Sequence, residues 1–266
     1  MRRYTSSSFG RSVSDMPHPL SRVKPNAEIE VGVNALAQRP QFVPQIMRVI
    51  AYWAHIDGDM ATIFSNFLRT DIEVGTAVYQ AFNGAEARRV AMFAAAEKAL
   101  PEWQQIALRA VWNATKASRD QRDKFAHHVW ATSEELPDAL LLMHSSVVVA
   151  RNVSHRQRSE HLPNGRGVIA PKDLDRSKVF VYRQKDFDRA AEEAGAASFL
   201  VMLLYTAIGQ NWHEVGRRQL WNEPRFQRAV QPLILEKSPE LSISGADRPD
   251  TAIPFSPPLS CSLYKV

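Results

Sequence analysis

The chain has 266 residues, 45% hydrophobic and 23% charged, an ordinary globular composition that suits one large domain or two small ones with a sizeable core. Its 33 Lys plus Arg against 28 Asp plus Glu leave a net +5, an excess that permits contact with phosphate without demanding it. Cys261 is the single cysteine, which excludes a disulfide framework and a multi-cysteine metal site and fits a reducing, cytoplasmic compartment.

Residues 1–25 interleave Arg2, Arg3, Arg11 and Arg22 with serines and lack apolar periodicity, so they are expected to form a flexible basic arm. From Val43 to about Leu68 apolar residues recur at three- and four-residue steps, which predicts an amphipathic helix of about seven turns with Pro44 in its first turn. Asp57-Gly58-Asp59 lies inside it, on a solvated face with a local kink; a calcium loop would need ligands that are missing. Thr70-x-x-Glu73 has the spacing of a capping box and predicts a new helix start. Asn83-Gly84 marks a turn, residues 85–100 form an Ala-rich helix, and Pro101 opens another that runs to about Ser118.

After Trp130 the pattern changes. Ala139–Met143, Val147-Val148-Val149 and Lys178–Arg183 have the short apolar runs of strands, with a basic, turn-rich connection between them. A small antiparallel sheet inserted at about 138–184 is therefore expected. Asp186 is placed to cap a helix from Phe187 to about Ile208 that Gly209 ends, and a short helix follows from about Trp212 to Val230. The longest apolar run, Ala196 to Ile208, is about a dozen residues against the roughly 20 that span a bilayer, so it reads as a buried helix and no membrane partner is expected. From Ser238 onward prolines remove helix and leave an extended tail over 238–266. The organisation predicted is thus mainly α, with a single helical domain over 26–237 that carries the β insertion, and extended termini.

The stretch richest in chemistry is Arg122-Asp123-Lys124-Phe125-Ala126-His127-His128-Val129-Trp130. An arginine followed five to seven positions later by a histidine is weak on its own, since chance supplies about two such pairs in a chain of this composition. Arg11 to His18, Arg48 to His55 and Arg156 to His161 also satisfy it. Only Arg122 is followed by a polar Asp123, then by the apolar anchor Phe125, the paired His127-His128 and Trp130.

That context resembles the HEPN superfamily, helical-bundle proteins marked by Arg, a polar residue, three to five further residues and His. The form here is similar to the bacterial variety that usually reads Arg-Asn-x-x-Ala-His-Gly-x-Trp, and the likeness spans roughly residues 43–210. Asp123 stands where Asn is commoner and His128 where Gly is usual, which leaves open which histidine works. The resemblance implies a HEPN-like helical bundle and a metal-independent endoribonuclease, without cofactor, acting as a homodimer in bacterial stress or phage defence. An antitoxin or regulatory partner protein is a further expectation.

Metal-free RNA cleavage needs a base for the 2′-hydroxyl, an acid for the leaving oxygen and a cation for the phosphorane. Histidine exchanges protons near neutral pH and a guanidinium offers a planar fork to phosphate oxygens. The expected roles are acid/base for His127, with His128 as its substitute, charge stabilisation for Arg122, and orientation for Asp123. Arg119, Lys124, Arg151, Arg156 and Arg158 are expected to contact RNA phosphates. One set has too few proton-transfer groups, so two copies are expected to face each other across a two-fold axis. The alternatives are a non-catalytic HEPN-like module for dimerisation or for binding RNA or protein, with Arg122 and Asp123 a solvated pair and His127 a satisfied core histidine. Trp53, Trp103 and Trp112 read as core. His155 and His161 with Asp173 or Asp175 match no metal-ligand set, so none is expected.

Overall fold

A computed structural model describes residues 17–32, 34–149, 167–169, 174–208 and 213–237, and within them the chain is mainly helical with one small sheet. The long helix α3 (Val43–Leu68) follows two short helical turns, α1 (Leu20–Val23) and α2 (Ala35–Gln38). It is unbroken through Asp57-Gly58-Asp59, where a kink was expected, and buries Ile46, Val49, Trp53, Ile56, Met60, Ile63, Phe64 and Phe67 along one stripe. Pro44 sits in its first turn, and Arg69 closes it in the left-handed region at φ 52° with Thr70 N–H donating to the Ser65 carbonyl.

Helices α4 (Ile72–Ala81), α5 (Gly84–Ala99), α6 (Glu102–Ala114) and α7 (Lys116–His127) then fold back in succession. The cap of α4 is Asp71, whose carboxylate accepts from Glu73 N–H at 2.8 Å, rather than Thr70. Gly84, at φ +86°, makes the turn into α5, a conformation that costs glycine little. The helix expected to run to Ser118 instead ends at Ala114. Thr115 joins it to α7.

The sheet is larger than a 138–184 insertion. Its order is β1-β6-β4-β3-β2-β5, antiparallel throughout, and three of its six strands come from elsewhere in the chain. These are β1 (His18–Pro19) and β2 (Ile29–Val31) near the N-terminus, and β3 (Val129–Thr132) directly after the motif helix; β4 (Ala139–Met143), β5 (Gly167–Ile169) and β6 (Val179–Arg183) lie within the expected range. Residues 17–25 are therefore docked rather than a free arm, with Leu20 fully buried. Residues 1–16 and the tail 238–266 lie outside the described residues. Val147-Val148-Val149, expected as strand, is helical.

Strand alternation explains how both sheet faces are covered. On β4, Leu140 and Leu142 point with Tyr182 and Phe187 into the helical core. Ala139, Leu141 and Met143 point the other way, against Leu20, Ala27, Ile29, Ala131, Val179 and Val181. The N-terminal segment is what seals that second face.

Helix α8 (Gln184–Ile208) starts before the expected cap. Asp186 lies inside its first turn and accepts from Arg183 N–H at 2.9 Å and from Arg189 Nη2 at 3.0 Å. Among the described residues α8 alone is long and apolar enough to cross a membrane by length and composition, yet it buries Phe187, Ala190, Ala194, Leu200, Val201 and Leu204 against its neighbours. Gly209 lies outside the described residues. The single helix expected over 212–230 is two, α9 (His213–Trp221) and α10 (Pro224–Lys237), because Pro224 starts a new helix where it cannot continue the old one.

Candidate active site

Helix α7 is amphipathic in an unusual sense: one face carries a packed aromatic anchor and the other carries charge. Phe125 is buried and lies 5.7 Å from the Trp130 ring, 5.8 Å from Tyr182 and 5.6 Å from Phe187, centroid to centroid. That cluster locks the end of α7 to β3, β6 and the start of α8. Arg119, Arg122, Asp123 and His127 fall on the remaining side, an arc of about 140° at the helical rotation of about 100° per residue.

This arc forms one wall of a cavity of about 410 Å³ that opens to solvent. Trp53, Ile56, Asp57 and Met60 of α3, Tyr79 of α4, Arg88 of α5 and Trp112 of α6 contribute the rest, with Gly84 and Ala85 as a small-residue edge. Of the motif residues, Arg122, Asp123 and His127 share the cavity. His128 does not line it: α7 ends at His127, and the extended backbone of His128, ψ 160°, carries its ring to His144, 5.0 Å away and edge-on.

Three guanidiniums meet two carboxylates here. Arg122 Nη1 donates to Asp123 Oδ1 at 2.9 Å, while Arg122 Nη2 and Arg88 Nη1 stand 4.0 and 3.8 Å from the two oxygens of Asp57. Asp123 thus holds one side of the Arg122 fork. With both carboxylates ionised and His127 neutral, the lining carries one net positive charge. Burial pushes the Asp57 carboxyl above the usual carboxylate range, against the pull of Arg88, Arg122 and Arg119, so its charge is the least secure of the five. Burial, then the Asp57 charge, push the Tyr79 phenol up to about 12, which keeps it protonated and able to donate.

Arg119 serves the wall more than the opening. Its guanidinium lies 4.2 Å over the Trp112 ring and 5.8 Å from Trp53, and Nη2 donates to the Trp112 carbonyl at 3.2 Å and Thr115 Oγ1 at 3.3 Å. Trp53 and Trp112 are core, as expected, with Trp53 Nε1 donating to buried Ser118 Oγ at 3.0 Å, whereas Trp103 is only half-buried, with the Arg217 guanidinium 5.0 Å over its ring. Lys124 is half-buried on α7 beside the cavity residues but does not line it. Arg151, Arg156 and Arg158 lie outside the described residues, as do His155, His161 and Asp173. Among the described residues no group of three metal-ligating side chains converges, and the cavity offers none.

Sequence reasoning left out Arg88 and Tyr79 and placed Asp57 on a solvated face. Asp57 does lie four residues after the core residue Trp53, one turn along the same stripe, and that spacing was the available signal. Arg88 had no signal beyond its place after Gly84-Ala85, since only the packing of α5 on α3 brings it to Asp57. No protein-family model, curated protein or solved structure matches the chain.

Proposed function

We propose that the chain is a metal-independent endoribonuclease of HEPN type, acting as a homodimer with its motifs at the two-fold axis. The observation that carries this reading is the convergence of Arg122, Asp123 and His127 on one solvent-open cavity with two further arginines. His127 is exposed and its imidazole is available for proton transfer, whereas a satisfied core histidine would be buried. In this reading His127 takes the 2′-hydroxyl proton as that oxygen attacks the adjacent phosphorus. The 5′-oxygen leaves with a proton from the partner's imidazole, and a 2′,3′-cyclic phosphate forms. Arg122, held by Asp123, spreads the extra negative charge of the phosphorane over its fork.

Among the described residues one chain brings a single imidazole to the cavity, so in this reading the acid and the base come from two copies. The same observation favours the second reading, a non-catalytic RNA- or protein-binding module, if the copies do not meet. A role in bacterial stress or phage defence, under control of an antitoxin or regulatory partner, belongs to the proposal. RNA cleavage in EDTA by the wild type, Arg122→Ala and His127→Ala separates the readings. Each variant is expected to lose roughly a hundredfold or more in rate, the scale of an acid/base or charge-stabilising group. Equal activity in all three would remove the enzyme reading.

A further inference from the structure

We propose that the α3–α5–α7 corner of the cavity is a phosphate-binding site, in which Arg88 and Arg122 grip one phosphate group beside Asp57, their resident counter-ion. The inference extends the ribonuclease reading, with which it shares the cavity, and names residues outside the Arg-to-His motif.

Three observations carry it. Asp57 lies between the two guanidiniums at 3.8 and 4.0 Å, beyond hydrogen-bond distance, so it neutralises them without occupying their donors. The Arg88 and Arg122 side chains remain 27% and 31% exposed and line the cavity, so their terminal Nη donors are reachable from solvent. A phosphate, with its tetrahedral set of acceptor oxygens, is the ligand such donors match. Finally, the arginines differ in how much of the fork is committed. Arg119 spends its donors on Trp112 and Thr115, and Arg122 gives one to Asp123. The Arg88 head is held only loosely, 5.2 Å over the Tyr79 ring.

Asp57 also gives the site a proton linkage. It is faced by Arg88 from α5, by Arg119, Arg122 and Asp123 from α7, and by Tyr79 from α4, with His127 at the cavity edge. Its carboxyl already sits above the ordinary range, and an arriving phosphate adds negative charge beside it. Binding therefore draws a proton from solvent onto Asp57, and affinity strengthens as pH falls toward the carboxyl's own range.

The phosphate belongs either to an RNA backbone or to a free nucleotide, and titration calorimetry on the full chain distinguishes them. Inorganic phosphate is the probe, with adenosine 3′-monophosphate and a short 2′-O-methyl RNA as competitors. Arg88→Ala is expected to weaken phosphate about tenfold, the scale of a lost charge-assisted pair. Asp57→Asn is expected to bind phosphate more tightly than wild type and to lower the proton uptake, seen by comparing buffers of different ionisation heat, to what the titration of phosphate itself supplies. A misfolded variant cannot bind more tightly, so this second substitution guards against a trivial loss. Displacement by the RNA assigns the site to a backbone phosphate, and displacement by the mononucleotide alone assigns it to a nucleotide. Absence of phosphate binding, or wild-type affinity in both variants, overturns the proposal. Phosphate binding without RNA cleavage would remove the nuclease reading and leave this site standing. Cleavage with phosphate binding untouched by both substitutions would do the reverse.

Discussion

Arg119 and Arg122 stand three residues apart on α7, yet one is built into the wall and the other is presented to the cavity. The Arg119 guanidinium lies 4.2 Å over the Trp112 ring and completes hydrogen bonds to the Trp112 carbonyl and Thr115. Its loss is therefore a stability effect before it is a binding effect. Arg119→Ala is expected to cost about 1–3 kcal/mol in urea unfolding, and Arg119→Lys should not restore it, because an ammonium neither stacks nor forks. Full rescue by lysine would show that charge alone matters there.

His128 is the other residue whose surroundings define its part. Burial first, then His144, Lys124 and His127, hold its imidazole below the ordinary value of 6.5. The unfolded chain thus binds this proton more readily than the folded one, and stability falls as pH drops below the unfolded value. Thermal unfolding between about pH 7.5 and about pH 5.5 should show a steeper acid-side loss for wild type than for His128→Gln. Parallel curves would contradict that linkage. The sequence left His127 and His128 as interchangeable candidates. A step of about 100° per residue separates them only once the end of α7 is known.

At the scale of elements, the site depends on how closely α4 is laid on α3, since α4 supplies Tyr79 to the cavity. A Cβ placed on Gly75 would stand 2.2 Å from Ser65 Oγ and 2.7 Å from Ser65 Cα, so the helices touch through that glycine. Gly75→Ala is expected to destabilise by about 1–3 kcal/mol, as overpacking does, and to shift the Tyr79 side of the cavity. Gly58, in the middle of α3, has nothing within 4 Å of its Cβ position. Gly58→Ala should stabilise by about 0.5–1 kcal/mol, because alanine loses less backbone freedom in a helix. Chemical denaturation of the two variants side by side checks both signs. The same comparison separates what was legible from what was not. Most of the buried stripe of helix α3 could be read from its apolar spacing, because the pattern lies within one element. The crossing of α4, α5 and α7 over α3, which gathers Asp57, Arg88 and Arg122, is decided by contacts between segments and leaves no local period.

For the whole molecule, the sheet repeats that lesson. Strands β4 and β6 were visible as apolar runs. The short strands β1 and β2, and Val129–Thr132 after the motif, carry too few residues for alternation to register, and pairing partners alone make them strands. Through β3 the sheet continues directly from α7, so the Phe125 and Trp130 anchors fix the motif helix to the sheet. The net +5 charge adds a general attraction for polyanions, which makes binding alone a poor witness for catalysis.

The most direct measurement uses an RNA oligonucleotide and its 2′-deoxy-substituted counterpart, incubated with the wild-type protein and with His127→Ala in EDTA, and analyses the product ends. The account predicts cleavage of the RNA alone, by the wild type alone, with 2′,3′-cyclic phosphate ends. Cleavage of the 2′-deoxy strand, or undiminished cleavage by His127→Ala, would contradict it.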